Sequence, residues 1–303
     1  METKETEKMN WELPAIDLLE HPRVKESFIN VLMKIHGKSE GDAEMIYEKE
    51  LLYSKKTITG NNEFAICTGI SLYSAFLEIA TTGLSIQPGS KSEAFLQYRY
   101  GGNVVDPKTG KEKKINVASF VITAYGELNM RIRAGQIIRM NNPQVIYEGD
   151  RFQPKTNEQG VLIVDYAPAI PRKTNHIIGC YVCIVLPKNQ YDFKWLLEDD
   201  IQRLAGYSKP KVTDKNPNPK AAVLYSSNNG QIDPGFLEAK TIKHAMRAYS
   251  KLRVSDTVSF EGDEEYEAPA NIQSYAPTNN QPNETTPQNG SVTSVINDSD
   301  EPW

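Results

Sequence analysis

A switch in the spacing of apolar residues between 83 and 93 limits the fold more than any single motif. Before Gly83 they recur every three or four positions, as on one face of a helix; after Glu93 alternating, strand-like runs take over until helical spacing returns near the end of the body. HPRVKESFINVLMKIHG (21–37) sets Val24, Phe28, Leu32 and Ile35 on one stripe, with Pro22 suited to a first turn and Gly37 to a stop. GDAEMIYEKELLYSKK (41–56) reads as a second helix with Ile46, Leu51 and Leu52 partly buried. The stretch 61–83 reads as a third, with Ile66, Ile70, Tyr73, Leu77 and Ala80 inward and Gly83 as C-cap.

Strand chemistry follows. EAFLQYRY (93–100) alternates, and GGNVVDPKTGKEKKIN (101–116) is a turn-rich hairpin tip carrying Lys108, Lys111, Lys113 and Lys114. VASFVITA (117–124) leads into a short helix, YGELNMRIRAG (125–135). Further strands lie in 136–150, 160–168, 175–187 and 191–197, and a helix starts at EDDIQRLAGYSK (198–209). The order predicts an α+β fold: N-terminal helices, a central, mostly antiparallel sheet with a long basic hairpin, a C-terminal basic helix, then a disordered acidic tail.

The formal net charge of −5 hides an uneven distribution. From Asp256 to Trp303 there are ten acids and no Lys or Arg, so residues 1–255 carry +5. That tail is rich in Asn, Pro, Thr and Gln and poor in aliphatics, too little apolar surface to offset the entropy of ordering. The predicted organisation is a flexible N-terminus (1–12), one binding domain (13–255) and a disordered acidic tail (256–303). No run of about 18 apolar residues suggests a membrane span, the charged start METKETEKMNWELP lacks a signal-peptide core, and three cysteines suit a reducing compartment. A cytoplasmic location is expected.

Within the body, EAKTIKHAMRAYSKLR (238–253) collects Lys240, Lys243, His244, Arg247, Lys251 and Arg253. On a helix the first five of these share about a third of the circumference, while Ile242, Ala245, Met246, Tyr249 and Leu252 face the other way. No acid follows Glu238 until Asp256, so like charges one turn apart repel unless an anion arrives. Other cations surround the first strand and hairpin (Lys91, Arg99, Lys111, Lys113, Lys114) and the short helix (Arg131, Arg133), with Arg139 beyond it. Tyr98, Tyr100 and Tyr125 lie among them as candidates for base stacking. Cations following a phosphate chain beside aromatic faces suit single-stranded nucleic acid.

Enzymatic signatures are missing from the sequence. PGSKS (88–92) lacks the glycine spacing and preceding strand of a phosphate loop. On a strand Cys180 and Cys183 point to opposite faces, which does not suit a metal site with His176. Glu198, Asp199 and Asp200 fit the first turn of a helix; as metal ligands they would make a nuclease, the alternative from a different class. The expectation is a non-enzymatic binding protein with no metal and no cofactor.

Three segments then form a pattern: LYSAFLEIATTGLSIQPGSKSEAFLQYRY (72–100), FVITAYGELNMRIRAGQIIRMNNPQVIYEGDRF (120–152) and EAKTIKHAMRAYSKL (238–252). In order and spacing, over roughly residues 65–255, they resemble the RecT family of phage and prophage single-strand DNA annealing proteins. The matching positions are Gly83-Leu84, Ala94 to Tyr98, Gly126 with Leu128, Gly135 with Ile137, Val145 with Asp150 and Phe152, and Lys240-Thr241 with Tyr249. The chain departs from the pattern at Tyr125, where the family often has Lys, and in NNGQIDPGF (228–236), where many members carry a Trp. The resemblance implies ATP-independent binding of single-stranded DNA and its pairing with a complement in phage-type recombination inside a bacterial host cell. It implies a homo-oligomer, filament or ring, holding single strand and annealed duplex along a basic groove, and a partner exonuclease. Magnesium is left open as a non-catalytic aid to annealing. A passive single-strand-binding protein is the nearer alternative.

Lys240, Lys243, Arg247 and Lys251 are the expected phosphate contacts, His244 a lesser one because it is mostly neutral at pH 7. The tail ends INDSDEPW, which resembles the acidic C-terminal tip of bacterial single-strand-binding proteins; Asp298, Asp300, Glu301, Pro302 and Trp303 are therefore candidates for docking on host repair partners. The other reading is a solubilising tail.

Overall fold

The computed structural model describes residues 9–105, 110–158, 160–209, 220–250 and 252. The tail, including its tip at 298–303, together with Lys108, Lys251 and Arg253, lies outside them. The fold is α+β.

Four helices come first: α1 (Ala15–Glu20), α2 (Pro22–His36), α3 (Glu40–Gly60) and α4 (Gly69–Thr82). Pro22 occupies the first turn of α2, Gly37 ends it with φ 60°, and Gly83 ends α4 with φ 63°, a conformation that costs glycine little. The single helix expected over 61–83 is broken. Asn62–Ile66 form a 3₁₀ turn, and Thr68 starts α4 by accepting the Ser71 N–H while its own N–H donates to the Asn116 carbonyl. The buried stripe consequently shifts to Leu72, Ala75, Phe76, Ile79 and Ala80, leaving Ile70 exposed. α4 packs against α1, α2 and the second strand at once, so its buried face is wider than one narrow stripe. Phe28, Tyr47 and Phe76 stack within 4.8–6.0 Å of one another, and the Tyr47 hydroxyl donates to the Leu19 carbonyl at 2.9 Å.

β1 (Ala94–Val105) and β2 (Glu112–Ile122) pair antiparallel from Ala94↔Ile122 to Val105↔Glu112. Their inner half buries Ala94, Leu96, Ala118 and Phe120 against the helices, whereas the outer half beyond Tyr98 is mostly exposed. At about 3.4 Å per residue the hairpin is an arm some 35–40 Å long. Thr123 then caps α5 (Ala124–Arg133), accepting the Gly126 N–H at 3.1 Å. Gly126 lies so close to the Glu93 carbonyl that a Cβ there would collide with it.

The remaining strands are β3 (Arg139–Met140), β4 (Gln144–Tyr147), β5 (Arg151–Thr156), β6 (Leu162–Ala167), β7 (Ile177–Leu186) and β8 (Gln190–Leu197), followed by α6 (Glu198–Tyr207) and α7 (Pro234–Met246). β7 is central. β8 flanks one side, and β3 and β4 share the other as a strand interrupted at 141–143. One face of β7 presents Val182 and Ile184 to Ala124 and Leu128 of α5 and to Ile242, Ala245 and Met246 of α7. The other face presents Tyr181, on which the β5–β6 hairpin lies: Phe152 is 5.4 Å from Tyr181 and 5.8 Å from Trp195, and Tyr166 is 5.2 Å from Tyr181. Among the described residues the strand pairs are antiparallel, but they form three separate sheets rather than one central one.

Asp150 ties that hairpin to the sheet. Its carboxylate accepts from the Tyr147 N–H (3.0 Å), the Tyr166 hydroxyl (3.0 Å) and the Ala169 N–H (2.8 Å). Burial alone would push its pKa up, but these bonds and nearby Arg172 outweigh burial and hold it below the usual value. A depressed carboxyl contributes stability above its unfolded pKa of about 3.9 and loses it as pH falls through the lower folded value. Asp150→Asn is therefore expected to cost about 1–2 kcal/mol at pH 7. The gap from the parent should narrow at pH 3, and urea unfolding at both pH values checks it.

Among the described residues no helix is long and apolar enough to cross a membrane.

Candidate nucleic-acid interface

α7 is set in place by local chemistry that the sequence announces. Asp233 caps it, accepting the Phe236 N–H at 2.8 Å, and Pro234 occupies its first turn. Leu237, Thr241, Ile242, Ala245 and Met246 are buried, with the Thr241 hydroxyl returned to the Leu237 carbonyl at 2.8 Å. The opposite side carries Lys240 and Lys243, partly exposed, and His244 and Arg247, exposed.

The helix stops at Met246 instead of running to Arg253. Arg247, Ala248 and Tyr249 each donate to a carbonyl three residues back, tightening the chain into 3₁₀ turns. The Tyr249 hydroxyl donates to Asp192 on β8 at 2.8 Å, which pulls the segment onto the sheet; burial and Asp192 both raise the pKa of that hydroxyl. Lys251 lies outside the described residues, so the helical face described is Lys240, Lys243, His244 and Arg247.

Beyond Glu238 α7 carries no carboxylate of its own, and a neighbouring element supplies Asp200. Partial burial lowers the His244 pKa, Asp200 opposes this, and Arg247, Arg203 and Lys194 add to it; the net shift is downward. Arg203 and Lys194 therefore share a patch with the end of α7. Nothing in the sequence pointed to them, because they reach α7 from α6 and β8 across about forty to fifty residues of chain. Each has a local carboxylate: Arg203 binds Asp200 at 2.5 Å and Lys194 binds Asp192 at 2.9 Å.

A second meeting point lies toward the other end of α7. Lys91 places its ammonium 5.8 Å from the centre of the Tyr125 ring on the first turn of α5. Glu238 of α7 is near both: burial raises its pKa and Lys91 partly offsets that, while burial and then Glu238 raise the Tyr125 hydroxyl. Two residues on, the Lys240 ammonium sits 4.9 Å from the Phe236 ring, which stands edge-on to Tyr225 at 5.2 Å. Lys91, Tyr125 and Glu238, far apart in sequence, thus meet where α5 and α7 pack, while Lys240 projects from another side of α7.

Other expected site residues fall elsewhere. Arg99, Lys111 and Lys113 are exposed on the arm, where Tyr100, 62% exposed, donates its hydroxyl to Asn103. Lys114 is held by Glu63 at 2.8 Å. Tyr98 is partly buried with Phe64 edge-on at 5.5 Å, so it is packing rather than an open stacking platform. Arg131 requires a correction. It is 5% exposed and ion-paired with Glu127, because the last turns of α5 face the sheet and α7, and it cannot reach a phosphate without leaving the core. Arg133, on the far side of the same turn, donates to the Gly83 carbonyl at 2.8 Å and approaches Glu93 at 3.5 Å, away from α7.

The carboxylates behind the nuclease alternative serve the chain locally. Asp200 accepts the Leu197 N–H at 3.1 Å besides binding Arg203, and Glu198 lies 3.8 Å from His176. Among the described residues no three His, Cys, Asp or Glu side chains converge as metal ligands. Cys180 is buried, its thiol pushed up by burial to about 12.

No family model matches this chain, and no curated protein matches it either.

Proposed function

We propose that this chain binds single-stranded DNA and anneals complementary strands without nucleotide hydrolysis, in the manner of the RecT proteins it resembles. The observation that carries the reading is the convergence on α7. Lys240, Lys243 and Arg247 share one helix face, and Arg203 and Lys194 extend it at one end, while Lys91 beside Tyr125 forms a second cationic spot against Glu238 on another side of α7. Such a surface neutralises phosphates and offers rings to bases without reading base edges. Base edges left free can test a complement, which pairing without sequence preference requires. The arm with Arg99, Tyr100, Lys111 and Lys113 is suited to a second strand or a neighbouring subunit in the oligomer that the resemblance implies. A partner exonuclease would expose the strand.

The test mixes two complementary labelled oligonucleotides with the full chain, without ATP, and follows pairing by fluorescence transfer beside a gel for strand length. Faster pairing at intact length is the expected result. Binding and protection without faster pairing would leave a passive coating protein, and magnesium-dependent shortening would establish a nuclease instead.

A further inference from the structure

A cavity of about 410 Å³ opens on the helical half of the molecule, away from α7. Leu32, Ile46, Ile79 and Leu84 line it with apolar surface. Lys38, Lys49 and Arg133 stand around it, and of the cavity's residues only Glu50 is acidic. Its carboxylate is already taken up by the Ser85 hydroxyl (2.7 Å) and the Ile86 N–H (3.0 Å), with Lys49 at 3.7 Å. The wall is built to stay open. His36 is held by the Ala80 and Thr81 carbonyls at 2.9 and 3.1 Å, and a Cβ at Gly83 would press on both His36 and Arg133. An apolar floor with a cationic rim selects a ligand that is aromatic or aliphatic at one end and anionic beside it.

The chain carries such a ligand. Residues 298–303, DSDEPW, put three carboxylates within five residues of an indole. Chain exit favours this occupant as well. Tyr249 is near enough to Arg131 to feel its charge, so the chain leaves α7 beside the last turn of α5, the turn whose Arg133 lines the cavity. About fifty residues separate Leu252 from Trp303, and a chain of that length, at up to about 3.3 Å per residue, is long enough to reach the cavity.

We propose that this cavity is the docking site of the chain's own segment 298–303, with the Trp303 indole on the apolar floor and Asp298, Asp300 and Glu301 against Lys38, Lys49 and Arg133. Docking keeps the acidic segment on the body and closes Arg133 to other anions. The inference does not depend on DNA binding.

The experiment uses a fluorescein-labelled peptide of residues 294–303 and the full chain, read by anisotropy. The W303A chain, whose own segment has lost its anchor, should bind the peptide with micromolar affinity. The parent chain should bind it about 100-fold more weakly, because a tethered segment competes at roughly millimolar local concentration. Adding Lys38→Glu and Lys49→Glu to the W303A chain should weaken binding at least ten-fold; both lysines are exposed, and circular dichroism verifies the fold. Absence of peptide binding, equal binding by the parent and W303A chains, or indifference to the charge reversals would each overturn the proposal.

Discussion

Replacing Glu50 by alanine should destabilise the protein by about 2–4 kcal/mol, the largest single-residue effect expected outside the apolar core. Glu50 is 2% exposed on α3, and its carboxylate receives the Ser85 hydroxyl and the Ile86 N–H, fastening α3 to the connection between α4 and β1. Ile86 is itself buried, so its N–H would be left without a partner or a ready route to water. Part of the loss is offset because a buried charge disappears with the side chain. Glu50→Gln keeps an acceptor for one of the two donors and should cost roughly half as much. Urea unfolding of both variants provides the check. A loss under about 1 kcal/mol for the alanine variant would mean that the connection finds other partners.

The second large effect concerns the proposed interface. The double variant Lys240→Ala/Arg247→Ala should weaken binding to single-stranded DNA by about 30-fold, at ~1 kcal/mol per lost contact. It should also flatten the log–log salt dependence by about 1.4, since each phosphate contact contributes ~0.7 on single strands. Both side chains reach the surface while the apolar side of α7 stays untouched, so the fold should survive. Fluorescence anisotropy with a labelled oligonucleotide across a salt series measures both quantities. Unchanged affinity and slope in a folded variant would remove α7 from the interface. Arg131→Lys should leave the slope alone, because Arg131 is buried against Glu127.

Local rules were enough for much of the fold. Pro22, Gly37 and Gly83 mark helix ends through φ preference, which acts over a few residues and can be read directly. Strand alternation likewise located β1, β2, β7 and β8 and kept Cys180 and Cys183 on opposite faces. Misreadings arose where a distant partner overrides a local period. The break at Cys67–Thr68 depends on a hydrogen bond to Asn116, and α7 ends at Met246 while Tyr249 reaches across to Asp192. Neither partner lies within the window that a period samples.

Candidate site residues divide the same way. Lys240, Lys243, His244 and Arg247 share a face because they share a helix, so 3.6-residue spacing was sufficient to group them. Whether a cation serves the surface or the core depends on which element covers it. Arg131 and Arg133 are two residues apart, yet one is buried against Glu127 and the other lines a cavity with Gly83. Arg203, Lys194 and Lys91 joined α7 only through the packing of α6, β8 and α5.

By itself the sequence determined the α+β order, the helix caps, the apolar faces and the separation of a cationic body from an acidic tail, all properties of neighbours along one chain. The tertiary structure alone decided which charges meet, which tyrosines stay open and where a cavity forms, because electrostatics and burial act through space between segments that no sequence window joins.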